Sequence, residues 1–168
     1  AVTMASSSDD ASGPSEVPER SSKRTRNSAR QVVRGSFLFT HFGLSGPAPM
    51  NASGVISANP QAGAWTAVCD FLPALSTHAL EAELVAAAQC DGKRSLATWL
   101  AERLPRRLVD ALLAEAGVSG ERRLAELSRS ERTAALDAVK RTAIPISGTQ
   151  GFKKAEVTAE GIDLREVD

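Results

Sequence analysis

Hydrophobic and polar positions change their rhythm three times along this chain. Residues 1–30 have almost no apolar rhythm: Val2, Met4 and Val17 are the sizeable apolar residues among eight serines and nine charged side chains. Such a stretch cannot bury enough surface to offset the entropy of ordering it, so it reads as a disordered polar tail or linker. From Gln31 to Thr40, Val33, Phe37, Leu38 and Phe39 predict a strand, with Gly35 suited to a bulge or a close approach. Thr40–Pro47 then reads as a strand-to-helix turn. Ser45 is the expected N-cap, Pro47 sits in the first turn, and the helix runs to about Ile56. Pro49 fits that register less well, because with Ser45 as cap it removes the first i→i−4 bond. Trp65–Phe71 predicts a second strand, ended by Pro73.

Between residues 76 and 140 the period becomes helical. Ser76 caps a helix whose apolar face is Leu80, Leu84, Val85 and Ala88, with Leu75 and Leu80 at staple positions. Ser95 opens a short helix with Leu96, Trp99 and Leu100. Pro105 begins another, ending at Gly117 and burying Leu108, Val109, Leu112 and Leu113. Ser128-Arg129-Ser130-Glu131 is a capping box ahead of Leu136 and Val139. These helices predict a small bundle.

After Lys140 the alternation of Ile144 and Ile146 around Pro145 predicts an edge strand. Gly148–Gly151 is a turn, Ala155–Ala159 a further strand, and Ile162 and Leu164 alternate again. The sum is an α+β chain in which a helical module interrupts a β module. The domain reading is 1–30 tail, 31–75 first β part, 76–140 helical subdomain, 141–156 second β part and 157–168 a return segment.

Composition narrows the function classes. The 168 residues carry 20 Lys+Arg and 20 Asp+Glu, so net charge supplies no global field toward nucleic acid or an anionic membrane. Mean hydropathy is −0.16, and Leu84–Ala88 is the longest clean apolar run, far short of a membrane span. The expectation is a soluble, cytoplasmic protein with no membrane partner. Two cysteines, Cys69 and Cys90, and two histidines, His41 and His78, argue against a disulfide scaffold or a metal site. Tyr is absent and aromatics are 4%, which argues against stacking platforms for nucleic-acid bases. The cluster Arg20, Lys23, Arg24, Arg26 and Arg30 reads as a solvated linker or as a nucleic-acid or localisation tail, and the lack of interleaved aromatics favours the linker.

Candidate chemistry is sparse. Phosphate-cradling glycine loops and nucleophile elbows are absent. Cys69 or Cys90 with a histidine would make a nucleophile pair, against which stands the reading as inert thiols. Glu156 and Asp163 are conceivable paired carboxylates. The Thr40–Pro47 segment is more suggestive: glycines and hydroxyls just before a helix N-terminus suit a phosphate, carboxylate or flavin oxygen, or else form a tight structural turn. Thr149–Phe152 and Thr158–Gly161 carry the same two readings.

Gly35-Ser36-Phe37-Leu38-Phe39-Thr40-His41-Phe42-Gly43-Leu44-Ser45-Gly46-Pro47-Ala48 resembles the signature of the BaiN/YhiN-like family of NAD(P)/FAD-dependent oxidoreductases, also called the aminoacetone oxidase family. Gly148–Asp168 is similar to a second long word of that family, and Leu104–Leu108 and Leu124–Ser128 match its helical insert in order. The resemblance covers residues 34–168. It implies a β-barrel-like insert, interrupted by a small helical domain, within a Rossmann-type FAD domain whose glycine fingerprint is not in this sequence.

The implied role is therefore a fragment of an FAD-dependent, NAD(P)H-linked oxidoreductase. Its insert would cover the flavin and shape a pocket for a small-molecule substrate, with a missing FAD-binding domain as partner in cis or trans. Weak or no FAD binding is expected of this chain alone. A stand-alone interaction module derived from the insert is the alternative. The resemblance puts Thr40, His41, Gly43, Ser45, Thr158, Glu160 and Gly161 nearest the flavin, as backbone donors and close-approach positions. Two residues depart from the family pattern. Glu160 stands where a glycine is usual, and Pro49 stands where an aliphatic residue is usual.

Overall fold

The computed structural model describes residues 2–6, 30–59, 61 and 63–151. It is a mixed α+β structure, and no closed barrel forms among the described residues. The chain divides into two units, Ala1–Val2 with Ala67–Ile144, and Thr3–Thr66 with Pro145–Asp168.

In the second of these units, strand β1 (Val2–Ser6) lies beside β2 (Arg30–Val33). Strand β1 falls inside the stretch expected to be a disordered tail. Pairing with a neighbouring strand gives its backbone hydrogen bonds that composition alone does not reveal. The rest of that expectation, residues 7–29, lies outside the described residues. The strand expected over Gln31–Thr40 is two strands, β2 and β3 (Leu38–Thr40), broken at Arg34–Phe37. The break lets Gly35 press against helix α1 (Pro47–Ala58): a Cβ there would lie 3.3 Å from the Ala48 nitrogen. Helix α1 packs on β2 and β4 (Gly43–Ser45), burying Ala48 and Ala52.

The other unit holds the larger core. Strand β5 (Trp65–Cys69) lies beside β6 (Thr142–Ile146), and β6 takes the sheet edge, where Pro145 costs no ladder bond. Four helices follow the sequence pattern: α2 (Thr77–Cys90), α3 (Leu96–Ala101), α4 (Arg106–Glu115) and α5 (Arg129–Lys140), with a 3-10 turn over Leu124–Glu126. The Ser76, Ser95 and Ser128 hydroxyls accept from the N–H groups of Ala79, Thr98 and Glu131, and the Glu131 carboxylate accepts from the Ser128 N–H at 2.8 Å, completing the capping box.

Leu80, Leu84, Leu96, Trp99, Leu100, Val109, Leu113 and Val139 form the centre of the packing. Val85 is a correction: it is 37% exposed, and Ala87 and Ala88 join Leu80 and Leu84 on the core face instead. Val85 sits one residue past Leu84, about 100° further round the helix, and so turns toward solvent. Pro105 caps α4 rather than beginning it, and the helix ends two residues before Gly117, which has φ +66°. The loops between helices are tied to each other. Leu96 and Ala97, at the start of α3, donate to the carbonyls of Arg122 and Gly120 at 2.9 Å, so its orphan amides are satisfied by the 120–122 segment. Gly92 must be glycine, since a Cβ would meet the Ala125 Cβ and the Ala88 oxygen at 2.7 Å.

Candidate functional site

The segment expected to turn directly from strand to helix is a hairpin. Strands β3 and β4 pair antiparallel with Leu38 opposite Ser45, Phe39 opposite Leu44 and Thr40 opposite Gly43. His41 and Phe42 alone form the loop. The Thr40 hydroxyl donates to the Gly43 carbonyl at 2.9 Å and closes the tip. The His41 and Phe42 rings meet edge-on, 4.9 Å between centroids, and Phe37 and Phe39 do the same at 4.8 Å. Leu38, Phe39 and Phe42 are more than half exposed. A short hairpin with apolar residues this exposed is costly in water and marks a contact surface.

The helix start is displaced by one residue from expectation. Gly46, at φ +96°, is the N-cap, not Ser45, and no side chain caps the helix. A Cβ at position 46 would lie 3.1 Å from the Ser36 oxygen, so the turn needs glycine for both its φ and its space. Pro49 then sits at the third helical position, where no intrahelical donor is required. The first such bond runs from the Met50 N–H to the Gly46 oxygen.

This register decides what the helix start can hold. Pro47 and Pro49 carry no N–H, and the Ala48 N–H donates to the Ser36 carbonyl at 3.1 Å. A phosphate needs free amides at a helix N-terminus, and the first turn of α1 has none. The start of α1 therefore does not fit the pyrophosphate of FAD. Of the residues expected near a flavin, the hairpin brings Thr40, His41, Gly43 and Ser45 together. Thr158, Glu160 and Gly161 lie outside the described residues, as do Glu156 and Asp163.

The thiol and imidazole groups stand apart. Cys69 is buried in β5, and burial pushes its thiol up to about 11, so it stays protonated at neutral pH. Cys90, at the end of α2, is exposed, as is His78 in its first turn. No group of three potential ligands gathers for a metal among the described residues. Under native conditions a chromogenic disulfide reagent should titrate one thiol per chain, Cys90, and a second only in denaturant. Two rapidly reacting thiols in the native protein would contradict the burial of Cys69.

Charge is unevenly distributed in a way that the whole-chain balance conceals. From residue 20 to residue 69 there are six Lys or Arg and no Asp or Glu. The helical stretch 67–144 has eleven of each, many paired, as in Arg103–Glu83 at 2.9 Å and Arg106–Asp110 at 2.8 Å. Counting charge by segment rather than over the whole chain reveals the acid-free stretch. The aromatics are equally uneven. Among the described residues, Trp65 and Trp99 are buried and Phe71 is half-buried, while Phe39 and Phe42 lie on the hairpin and Phe37 directly before it.

An exposed aromatic hairpin in one unit and a charge-balanced helical stretch in the other make up a two-part α+β chain. Residues 13–157 match the model of the HI0933-like protein barrel and H2TH domain, and this chain belongs to that family, a family of FAD-dependent oxidoreductases. Curated relatives named "Ribosomal RNA dihydrouridine synthase" are similar to it. The one from Haemophilus influenzae is 32% identical over 130 residues, 77% of this chain and 30% of its own length. The one from Escherichia coli is 33% identical over 136 residues, 81% of this chain and 32% of its own length. The chain thus spans about a third of the length of the curated relatives it matches. No described helix is long and apolar enough to cross a membrane.

Proposed function

We propose that this chain is the barrel and H2TH part of a flavin-dependent oxidoreductase that acts on uridine in ribosomal RNA, and that its share of the work is to hold the RNA rather than the cofactor. The observation that carries this reading is the acid-free stretch 20–69, which has six basic residues and contains an exposed aromatic hairpin, beside relatives named for a ribosomal RNA substrate. It departs from two expectations: from charge and composition, that nucleic acid is an unlikely partner, and from the family resemblance, that the substrate is a small molecule.

The flavin is FAD and the reductant NAD(P)H, as the family resemblance implies, and FAD is held by another part of the protein. The occupied amides of α1 support that division of labour. In this reading the hairpin residues Thr40, His41, Gly43 and Ser45 face the flavin's reactive edge from the substrate side and cover it. When bound, FAD supplies the hydride chemistry.

The test has two arms. Passed over a desalting column with FAD, the 168-residue chain should emerge colourless. Titrated against a fluorescent, uridine-containing single-stranded RNA, it should bind, with log affinity falling by about 0.7 per phosphate contact for each unit of log salt. A chain that retains FAD and ignores the RNA at low salt overturns the proposal.

A further inference from the structure

We infer that the β3–β4 hairpin is a stacking wedge for an unpaired base of the RNA, with Phe42 as the side chain that takes the base. The inference rests on the RNA reading above and assigns it to a place. Chemistry on a base requires that the base leave its stack, at a cost of a few kcal/mol that the protein must offset with contacts of its own. Aromatic side chains on an exposed, rigid support do this without regard to sequence.

The hairpin has those properties. Its tip is two residues long and is closed by the Thr40–Gly43 hydrogen bond, so the Phe42 ring is presented on an ordered turn. Phe42 is 57% exposed, and its ring meets that of His41 edge-to-face with centroids 4.9 Å apart. Leu38 and Phe39, 58% and 51% exposed, add apolar surface to the two faces of the strand.

The sequence that leads into the hairpin selects the partner. The hairpin lies within the acid-free stretch, with Arg34 exposed four residues before β3. The six basic residues of the 20–69 stretch all fall between residues 20 and 34, ahead of the hairpin in sequence, and no acidic residue offsets them. A ligand that is apolar on its faces and anionic along its backbone matches both features, and single-stranded or looped RNA is that ligand.

The experiment uses the 168-residue chain, a uridine-rich single-stranded RNA with one 2-aminopurine, and the variants Phe42→Ala and Phe42→Trp. Wild type should bind and change the 2-aminopurine emission as that base leaves its neighbours. Phe42→Ala should bind about five-fold or more weakly and lose most of the emission change, while Phe42→Trp should restore both. The thermal melt should be the same for all three, because the side chain is largely exposed. Unchanged binding and emission in Phe42→Ala overturns the wedge while leaving the RNA reading standing. Loss of self-association in Phe42→Ala with RNA binding intact also overturns it, by making the face a contact between copies. No RNA binding by wild type at low salt overturns the RNA reading itself, and the wedge with it.

Discussion

Replacing Lys140 by methionine should lower the unfolding free energy of the helical unit by about 3 kcal/mol or more, with a fall in Tm of roughly 10 °C or more. Lys140 ends α5, where a lysine is ordinarily an exposed complement to the helix dipole. Here it is 8% exposed. Its ammonium donates to the carbonyls of Leu72 and Leu75, at 2.8 and 2.5 Å, and pairs with the Asp70 carboxylate at 2.7 Å.

Those acceptors lie on the 70–75 segment between β5 and α2, so one side chain ties the end of α5 to the approach to α2. Nearby, the Phe71 N–H donates to the Val139 carbonyl at 3.0 Å, and Asp70 accepts from the Leu72 N–H at 3.0 Å. Methionine fills similar volume but donates nothing. It leaves two carbonyls and a carboxylate short of a partner, and that penalty is what makes the loss large. Asp70→Asn keeps an acceptor for Leu72 and should cost about 1–2 kcal/mol less than the lysine change. Urea unfolding followed by far-ultraviolet circular dichroism measures both. A change below about 1 kcal/mol for Lys140→Met would mean that water serves these acceptors as well as lysine does.

The second large effect is at Trp99. Truncation to alanine should cost about 3–5 kcal/mol, a large share of the 5–15 kcal/mol by which a domain is ordinarily stable. The ring is 2% exposed in the centre of the helical core. Arg103 lies 4.4 Å above its centroid, hydrogen-bonds the Trp99 carbonyl at 3.3 Å and pairs with Glu83 of α2. Alanine therefore opens a cavity and removes the surface on which the guanidinium rests.

Phenylalanine keeps most of the packing and a π-face, so Trp99→Phe should lose less than half as much. Val85→Ala, on the solvent side of α2, should change stability by no more than about 0.5 kcal/mol. Thermal melts of the three variants check the order. Equal losses at Trp99 and Val85 would mean that the core is not where the packing puts it.

The helical half was largely legible without coordinates. Ser76, Ser95 and Ser128 each precede an apolar period, and each caps its helix, because capping is settled within four residues of chain. Leu80, Leu84, Val109, Leu112 and Leu113 are buried as their spacing predicts. The β half was less legible, because strands are completed by partners distant in sequence. Nothing near Val2 announces β2 as its neighbour, and nothing in Gln31–Thr40 says that the strand breaks for α1.

The hairpin was legible as an unusual word but not as a hairpin. His41-Phe42 is not a common two-residue turn, and the glycine that follows closes the ladder instead of starting a helix. Expectation put the helix cap at Ser45, whereas the close approach of Ser36 leaves room only for Gly46.

By itself, then, the sequence determined the helices, the serine caps of α2, α3 and α5, most of the apolar core and the family to which the chain belongs. Each of these is written in local patterns or in long matching words. Tertiary structure alone decided that the α1 amides are taken, that Lys140 is buried among carbonyls, and that Phe39 and Phe42 stand exposed on one hairpin. Those outcomes depend on which groups meet across many residues of chain. Backbone donors, buried charge and exposed rings acquire their energies only from what lies next to them in space.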